Sequence, residues 1–157
     1  LECGCKNIVN MRGPQKLSSG RKRFEGYLSA CQKHQIIPQF IDCKYHYEDG
    51  LKQAEELLQK YPDVDGIIAA NDMVALSVYK VLTKHGKKVP EDVQLIGFDN
   101  IRFSRIMTPA LTTIEQPITE IGRQAVLSLI DCIENRPTKQ HYTFDVKLIS
   151  RQTTQLL

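Results

Sequence analysis

The sequence predicts an α/β domain, a mostly parallel sheet doubly wound by helices on both faces. Two observations carry this. Short apolar runs of strand type alternate with amphipathic helical stretches along nearly the whole chain. The stretch Val64 to Leu82, VDGIIAANDMVALSVYKVL, is by itself half of a βαβ unit. Gly66 to Ala70 is its strand, and Asn71 and Asp72 are both good helix N-cap residues. Met73, Leu76, Tyr79 and Leu82 then recur at helical spacing. Ligands of open α/β sheets bind where strands hand over to helices, at the carboxyl ends of the strands. Asn71 and Asp72 stand at such a corner, and two readings apply to them: caps alone, or caps that also face a ligand.

Each element follows from local pattern. Asn7 to Met11 (NIVNM) reads as a strand closed by Gly13-Pro14. A polar loop through Ser18, Ser19 and Gly20 leads to a helix carrying Phe24, Tyr27, Leu28 and Cys31, with Arg23 in its first turn. Pro38 to Cys43 is the second strand, followed by Tyr45, His46 and Tyr47. A helix with Leu51, Ala54, Leu57 and Leu58 on one face stops before Pro62. The central helix ends near His85-Gly86, a C-cap pattern. Val93 to Phe98 is the fourth strand and finishes at Asp99-Asn100. Ile101 to Met107 reads as a short irregular or helical piece. Leu111 to Ile114 is a short strand closed by Gln116-Pro117. A helix from about Thr119 to Asn135 spaces Ile121, Ala125, Leu129 and Ile133 along one face. Tyr142 to Ile149 is a last strand, and the tail from Arg151 is polar almost to its end. Pro109 and Pro117 punctuate the approach to this final helix and strand, which suggests a separate layer.

Composition bounds the function. At 157 residues, with 41% hydrophobic and 25% charged residues, the chain is one globular domain's worth. A net charge of +3 makes no case for a nucleic-acid surface. No apolar run approaches the roughly 18 residues that span a membrane, and no signal-peptide pattern is present. The opening LECGCKN reads as the end of a helix entering a strand, as in a fragment of a longer protein. Five scattered cysteines, Cys3, Cys5, Cys31, Cys43 and Cys132, favour reduced thiols in a cytoplasm. Cys3-x-Cys5 lacks the further ligands of a zinc set, and no cofactor motif is present. The four histidines show no metal spacing, and no serine-hydrolase elbow exists.

The groups that follow successive strands share one edge of a parallel sheet. They are Arg23, Tyr45, Asn71 with Asp72, and Asp99 with Asn100. An arginine fork, carboxylates, amides and one ring suit a small polyhydroxylated ligand: oxygens accept from hydroxyls, the fork donates in one plane, and the ring covers an apolar sugar face. Tyr45 has a second reading, packing on its own helix. Asp72 and Asp99 also read as an acid/base pair of an α/β enzyme, but no nucleophile accompanies them.

Several linked stretches resemble the lac-repressor/Gal-repressor family of bacterial transcription regulators. They are Gly13-Pro14 with Arg23, Gly26 and Tyr27; Ala70 to Leu76; VPEDVQLIGFDN (Val89 to Asn100); TPALTTIEQP (Thr108 to Pro117); and LISRQTT near the end. The resemblance implies the C-terminal lobe of a two-lobed, type I periplasmic-binding-protein-like effector domain. It implies residues 1–116 as that lobe, 117–141 as a helix normally packed on an N-terminal lobe that is absent here, and 142–157 as the returning strand and tail. It places Arg23, Tyr45, Asn71 and Asp99 at a small-molecule effector, expected to be a sugar. It places Leu76 and Met107 at a homodimer interface. Operator DNA is contacted in this family by an N-terminal headpiece, also absent here. No catalytic residue, cofactor or metal is implied. The runs PEDVQLIGFDN and TPALTTIEQP resemble regulators more than the alternative, a sugar-binding receptor of a transport system with the same fold. The helix from Thr119 is expected to pack against a second chain or to be rearranged.

Overall fold

The computed structural model describes residues 3–155. The strands are β1 (Ile8–Arg12), β2 (Gln39–Asp42), β3 (Gly66–Ile68), β4 (Gln94–Asp99), β5 (Thr112–Glu115) and β6 (Lys147–Ile149). The helices are α1 (Ser18–Lys33), α2 (Tyr47–Lys60), α3 (Asp72–Lys84), α4 (Arg102–Ile106) and α5 (Ile118–Ile133). They build one six-stranded sheet in the order β2-β1-β3-β4-β5-β6. Every pairing is parallel except the last, where Glu115 faces Lys147 across an antiparallel β5–β6 pair.

Side-chain alternation along the strands splits the core in two. Val9, Met11, Ile41, Ile67 and Leu95 point to one face, where Ala54 and Leu57 of α2 and Val74, Val78 and Leu82 of α3 cover them. Ile8, Phe40 and Ile68 point to the other, against Phe24, Tyr27 and Cys31 of α1. The doubly wound reading is therefore correct. From β1 the chain goes outward to β2 in one direction and to β3 and β4 in the other, so the topological switch lies between β1 and β3.

Most element ends fall within two residues of the sequence reading, and three features differ more. Helix α1 begins at Ser18, so the expected polar loop is its first turn and Arg23 sits one turn deeper. The last strand is only Lys147–Ile149, and it rejoins the main sheet beside β5 instead of forming a layer of its own. The polar tail is partly interior: Thr153 is wholly buried, its Oγ1 donates to the Leu95 carbonyl (2.7 Å) and accepts from the Thr112 amide (2.8 Å). Hydroxyls that pair with the backbone at the sheet's end need no solvent.

Helix α5 stands apart. None of its residues is buried, and Val126, Leu129 and Ile133 are 58%, 60% and 71% exposed. Its amphipathic stripe is real, and beyond the half-buried Ile121 it lies exposed among the described residues.

Candidate functional site

The carboxyl ends of the parallel strands bring the expected residues together. Arg23, in the second turn of α1, reaches across the switch point to β3 and β4. Its Nη1 donates to the carbonyl of Ala70 at the end of β3 (2.9 Å), and its Nη2 lies 3.6 Å from Asp99 Oδ1 at the end of β4. The guanidinium lies 3.6 Å from the centroid of the Phe98 ring and 5.8 Å from that of Tyr45. A planar cation stacked on a ring face keeps its remaining donors aimed in fixed directions.

Asp99 Oδ1 also accepts from Gln116 Nε2 (2.7 Å), while Oδ2 has no protein donor among the described residues. Burial pushes the Asp99 carboxyl above the ordinary carboxylate range, against the pull of the Arg23 charge and the Gln116 amide. A half-buried carboxylate with a free oxygen beside an arginine suits a ligand hydroxyl, which donates to one and accepts from the other.

Asn71 serves its helix first. Its Oδ1 accepts from the Val74 amide (2.9 Å), the expected N-cap bond, and its Nδ2 donates to the Tyr45 carbonyl at 3.3 Å. The second Nδ2 hydrogen and the second Oδ1 lone pair remain for a ligand. Of the two readings of Tyr45, the structure shows packing. Its ring packs against the main core and over Gly13, where an added Cβ would meet the ring at 2.6 Å, and its hydroxyl lies 3.3 Å from Ser19 Oγ.

Asp72 belongs to the frame instead. It is fully buried, accepts from Thr113 Oγ1 (2.5 Å) and from the Ile101 amide (2.8 Å), and burial raises its pKa. With both oxygens engaged, it is not a partner for Asp99 in acid/base chemistry. Two residues at the site were not singled out in the sequence, Phe98 and Gln116. Gln116 follows the fifth strand as Asp99 follows the fourth, so extending the strand-end rule by one strand would have found it.

A cavity of about 380 Å³ opens beside Arg23 and runs down the sheet face over Ile68, Ile96, Phe98, Ile114 and Leu148. It is largely apolar, and Tyr45, Asn71 and Asp99 do not line it. The polar cluster thus sits on an open edge. Among the described residues no group of His, Cys, Asp and Glu is placed to hold a metal, and no helix is long and apolar enough to cross a membrane.

Leu76 and Met107 are half-buried. They lie on neighbouring elements, because the hydroxyl of Tyr79, one turn after Leu76 on α3, donates to the Thr108 carbonyl (2.7 Å). Met73 (36%), Phe103 (59%) and Ile106 (64%) add exposed apolar surface on α3 and α4.

Comparison with known proteins follows the same lines. The sequence model of the periplasmic binding protein-like domain matches residues 1–154. The ribose operon repressor of Halalkalibacterium halodurans is 34% identical over 156 residues, covering 99% of this chain and 47% of that protein. A regulator of the lac-repressor family from Enterococcus faecium, solved with bound ribose, superposes with a TM-score of 0.88 at 30% identity, over 99% of this chain and 59% of its own. The lac repressor dimer bound to operator and an anti-inducer gives a TM-score of 0.90 at 27% identity, over 97% and 54%. The chain spans about half the length of the curated relatives it matches.

Proposed function

Because the chain belongs to the family of periplasmic binding protein-like domains, we propose that it is the effector-binding and dimerisation part of a lac-repressor-type transcriptional repressor. The observation that carries this reading is the Arg23–Asp99–Gln116 contact at the strand-end edge beside the topological switch. It joins three elements, keeps one carboxylate oxygen free, and is flanked by the rings of Phe98 and Tyr45. That arrangement fits a sugar, and ribose is the first to test, since it is bound in one structural neighbour and names the operon of the first relatives.

In this reading residues 1–116 are one lobe, 117–141 cross to a second lobe, and 142–157 return. The bare apolar stripe of α5 and the return of β6 to the sheet support that division. The effector binds between the lobes and changes operator affinity only by its differential affinity for two lobe orientations. DNA contact belongs to a headpiece outside these residues, dimerisation uses Leu76 and Met107, and the repressor works in the cytoplasm. No catalytic step is assigned: the relatives are transcriptional regulators.

The test is thermal unfolding of the full-length protein with D-ribose, cellobiose and purine bases. A ligand at a hundredfold excess over its Kd stabilises the native state by about 2.7 kcal/mol. D-Ribose is expected to raise Tm, and Arg23→Ala or Asp99→Ala to weaken its binding by about a hundredfold, the scale of lost charge-assisted hydrogen bonds. A shift with a purine alone replaces the sugar. No shift with any compound, from a folded dimer, overturns the effector reading.

A further inference from the structure

The ligand carboxylate stands on a contorted turn. Asp99 has φ +113° and Asn100 φ +52°, two successive non-glycine residues in a region that L-residues avoid. Such a conformation persists only when surrounding contacts over-determine it. Three of those contacts converge on the Asn100 side chain. Its Nδ2 donates to Glu115 Oε1 (2.6 Å), and its Oδ1 accepts from Ser104 Oγ (3.3 Å) and from Arg151 Nη2 (2.7 Å).

Arg151 ties this turn to the rest of the lobe. Its Nη1 donates to the Leu111 carbonyl (2.7 Å) and to Ser104 Oγ (3.1 Å), and its own amide donates to Thr112 Oγ1 (2.9 Å). One side chain therefore spans the start of β5, the short helix α4 and the Asp99–Asn100 turn. Its planar fork reaches three acceptors at once, which a lysine ammonium on a flexible stem does not reproduce.

We infer that Arg151 is a positioning residue for the ligand. Among the described residues it makes no hydrogen bond to Arg23, Tyr45, Asn71 or Asp99; it holds Asn100 in its left-handed conformation and so fixes where the Asp99 carboxylate points. The inference rests on the effector reading for its consequence in affinity, but the restraint on the turn is independent of any ligand. Because Arg151 lies on the segment returning from α5, it also makes the ligand edge sensitive to the placement of that segment.

The experiment uses the full-length protein with Arg151→Met, Arg151→Lys, Asn100→Gly and the Arg151→Met/Asn100→Gly pair. Hydrogen exchange of peptides spanning 97–104 is measured without ligand, and D-ribose affinity by titration calorimetry. Arg151→Met is expected to speed exchange in that segment and to weaken D-ribose binding by about tenfold, the scale of one hydrogen bond to a charged group. Arg151→Lys should restore part of both. In the Asn100→Gly background, where glycine adopts positive φ freely and the acceptor is gone, Arg151→Met should cost little further affinity. Unchanged exchange in Arg151→Met, or unchanged D-ribose affinity despite faster exchange, overturns the inference. If wild type fails to bind D-ribose while Arg151→Met still loosens 97–104, the effector is wrong and the restraint on the turn stands. Should Arg151→Met fail to fold, Arg151→Lys carries the same comparison at smaller amplitude.

Discussion

Asp72 and Asp99 stand at the corners of neighbouring strands, and only Asp99 meets solvent. Burial raises the pKa of both above the ordinary carboxyl value, making them weaker acids. In the interval between the ordinary carboxyl value of 3.8 and the raised folded value, the native state holds more protons than the unfolded chain. Stability therefore falls as pH rises through that interval. Asp72→Asn removes one of the two contributions, so the slope of unfolding free energy against pH should flatten without vanishing. The variant should also be less stable by about 1–3 kcal/mol at neutral pH, because Thr113 and the Ile101 amide both donate and a carboxamide accepts through one atom only. Urea titrations over a pH series check both. Asp72 also marks the reach of sequence reasoning at this scale. Asn71 and Asp72 look equivalent in the chain, yet one caps α3 at the open strand-end edge and the other is buried against the start of α4. Separating them needs the position of Thr113, which is 41 residues away.

Among elements, α5 differs most from its neighbours. Helices α2 and α3 pack on each other and on the sheet, and Leu57 and Val78 are fully or almost fully buried between them. Helix α5 buries none of its side chains against the described residues. Replacing Val126, Leu129 and Ile133 by Gln should therefore leave the unfolding free energy of residues 1–157 almost unchanged. In the full-length protein the same change should cost about 1–3 kcal/mol for each side chain that a second lobe covers. Parallel denaturation of the two chains measures the difference. The elements themselves were legible in the sequence, since apolar period, caps and prolines place α2, α3 and β4 closely. The tail was not. Thr153 and Thr154 look solvated, and only their pairing with Thr112 and the Leu95 backbone makes them interior. Likewise the shortness of β6 depends on how much of β5 remains unpaired, which no local pattern encodes.

For the whole molecule, the α3 and α4 surface around Leu76, Met107 and Ile106 is the expected seat of a second copy. In a two-fold interface each residue is used twice, so one charge placed there acts twice. Leu76→Glu should convert a full-length dimer to monomer in sedimentation velocity. D-Ribose affinity should hold, because the Arg23–Asp99 contact lies at the strand ends and not on that outer helix face. A dimer that persists in Leu76→Glu would place the interface elsewhere. The strand-end residues were recoverable at this scale because a parallel sheet collects them on one edge whatever the loops do. Phe98 was not: alternation puts its ring on the face of Ile96, but only the fold brings the Arg23 guanidinium of α1 over it.

The antiparallel β5–β6 pair has a consequence for chain topology. Glu115 and Lys147 face each other as the last and first residues of their strands, as do residues flanking a tight turn in a hairpin. Everything between them is a detour inserted at a hairpin tip. The sheet would close as well over a two-residue loop as over the present excursion through α5, so that excursion leaves and re-enters the sheet at two adjacent points. A displacement of that excursion bears first on Gln116, the first residue past β5, whose amide donates to Asp99.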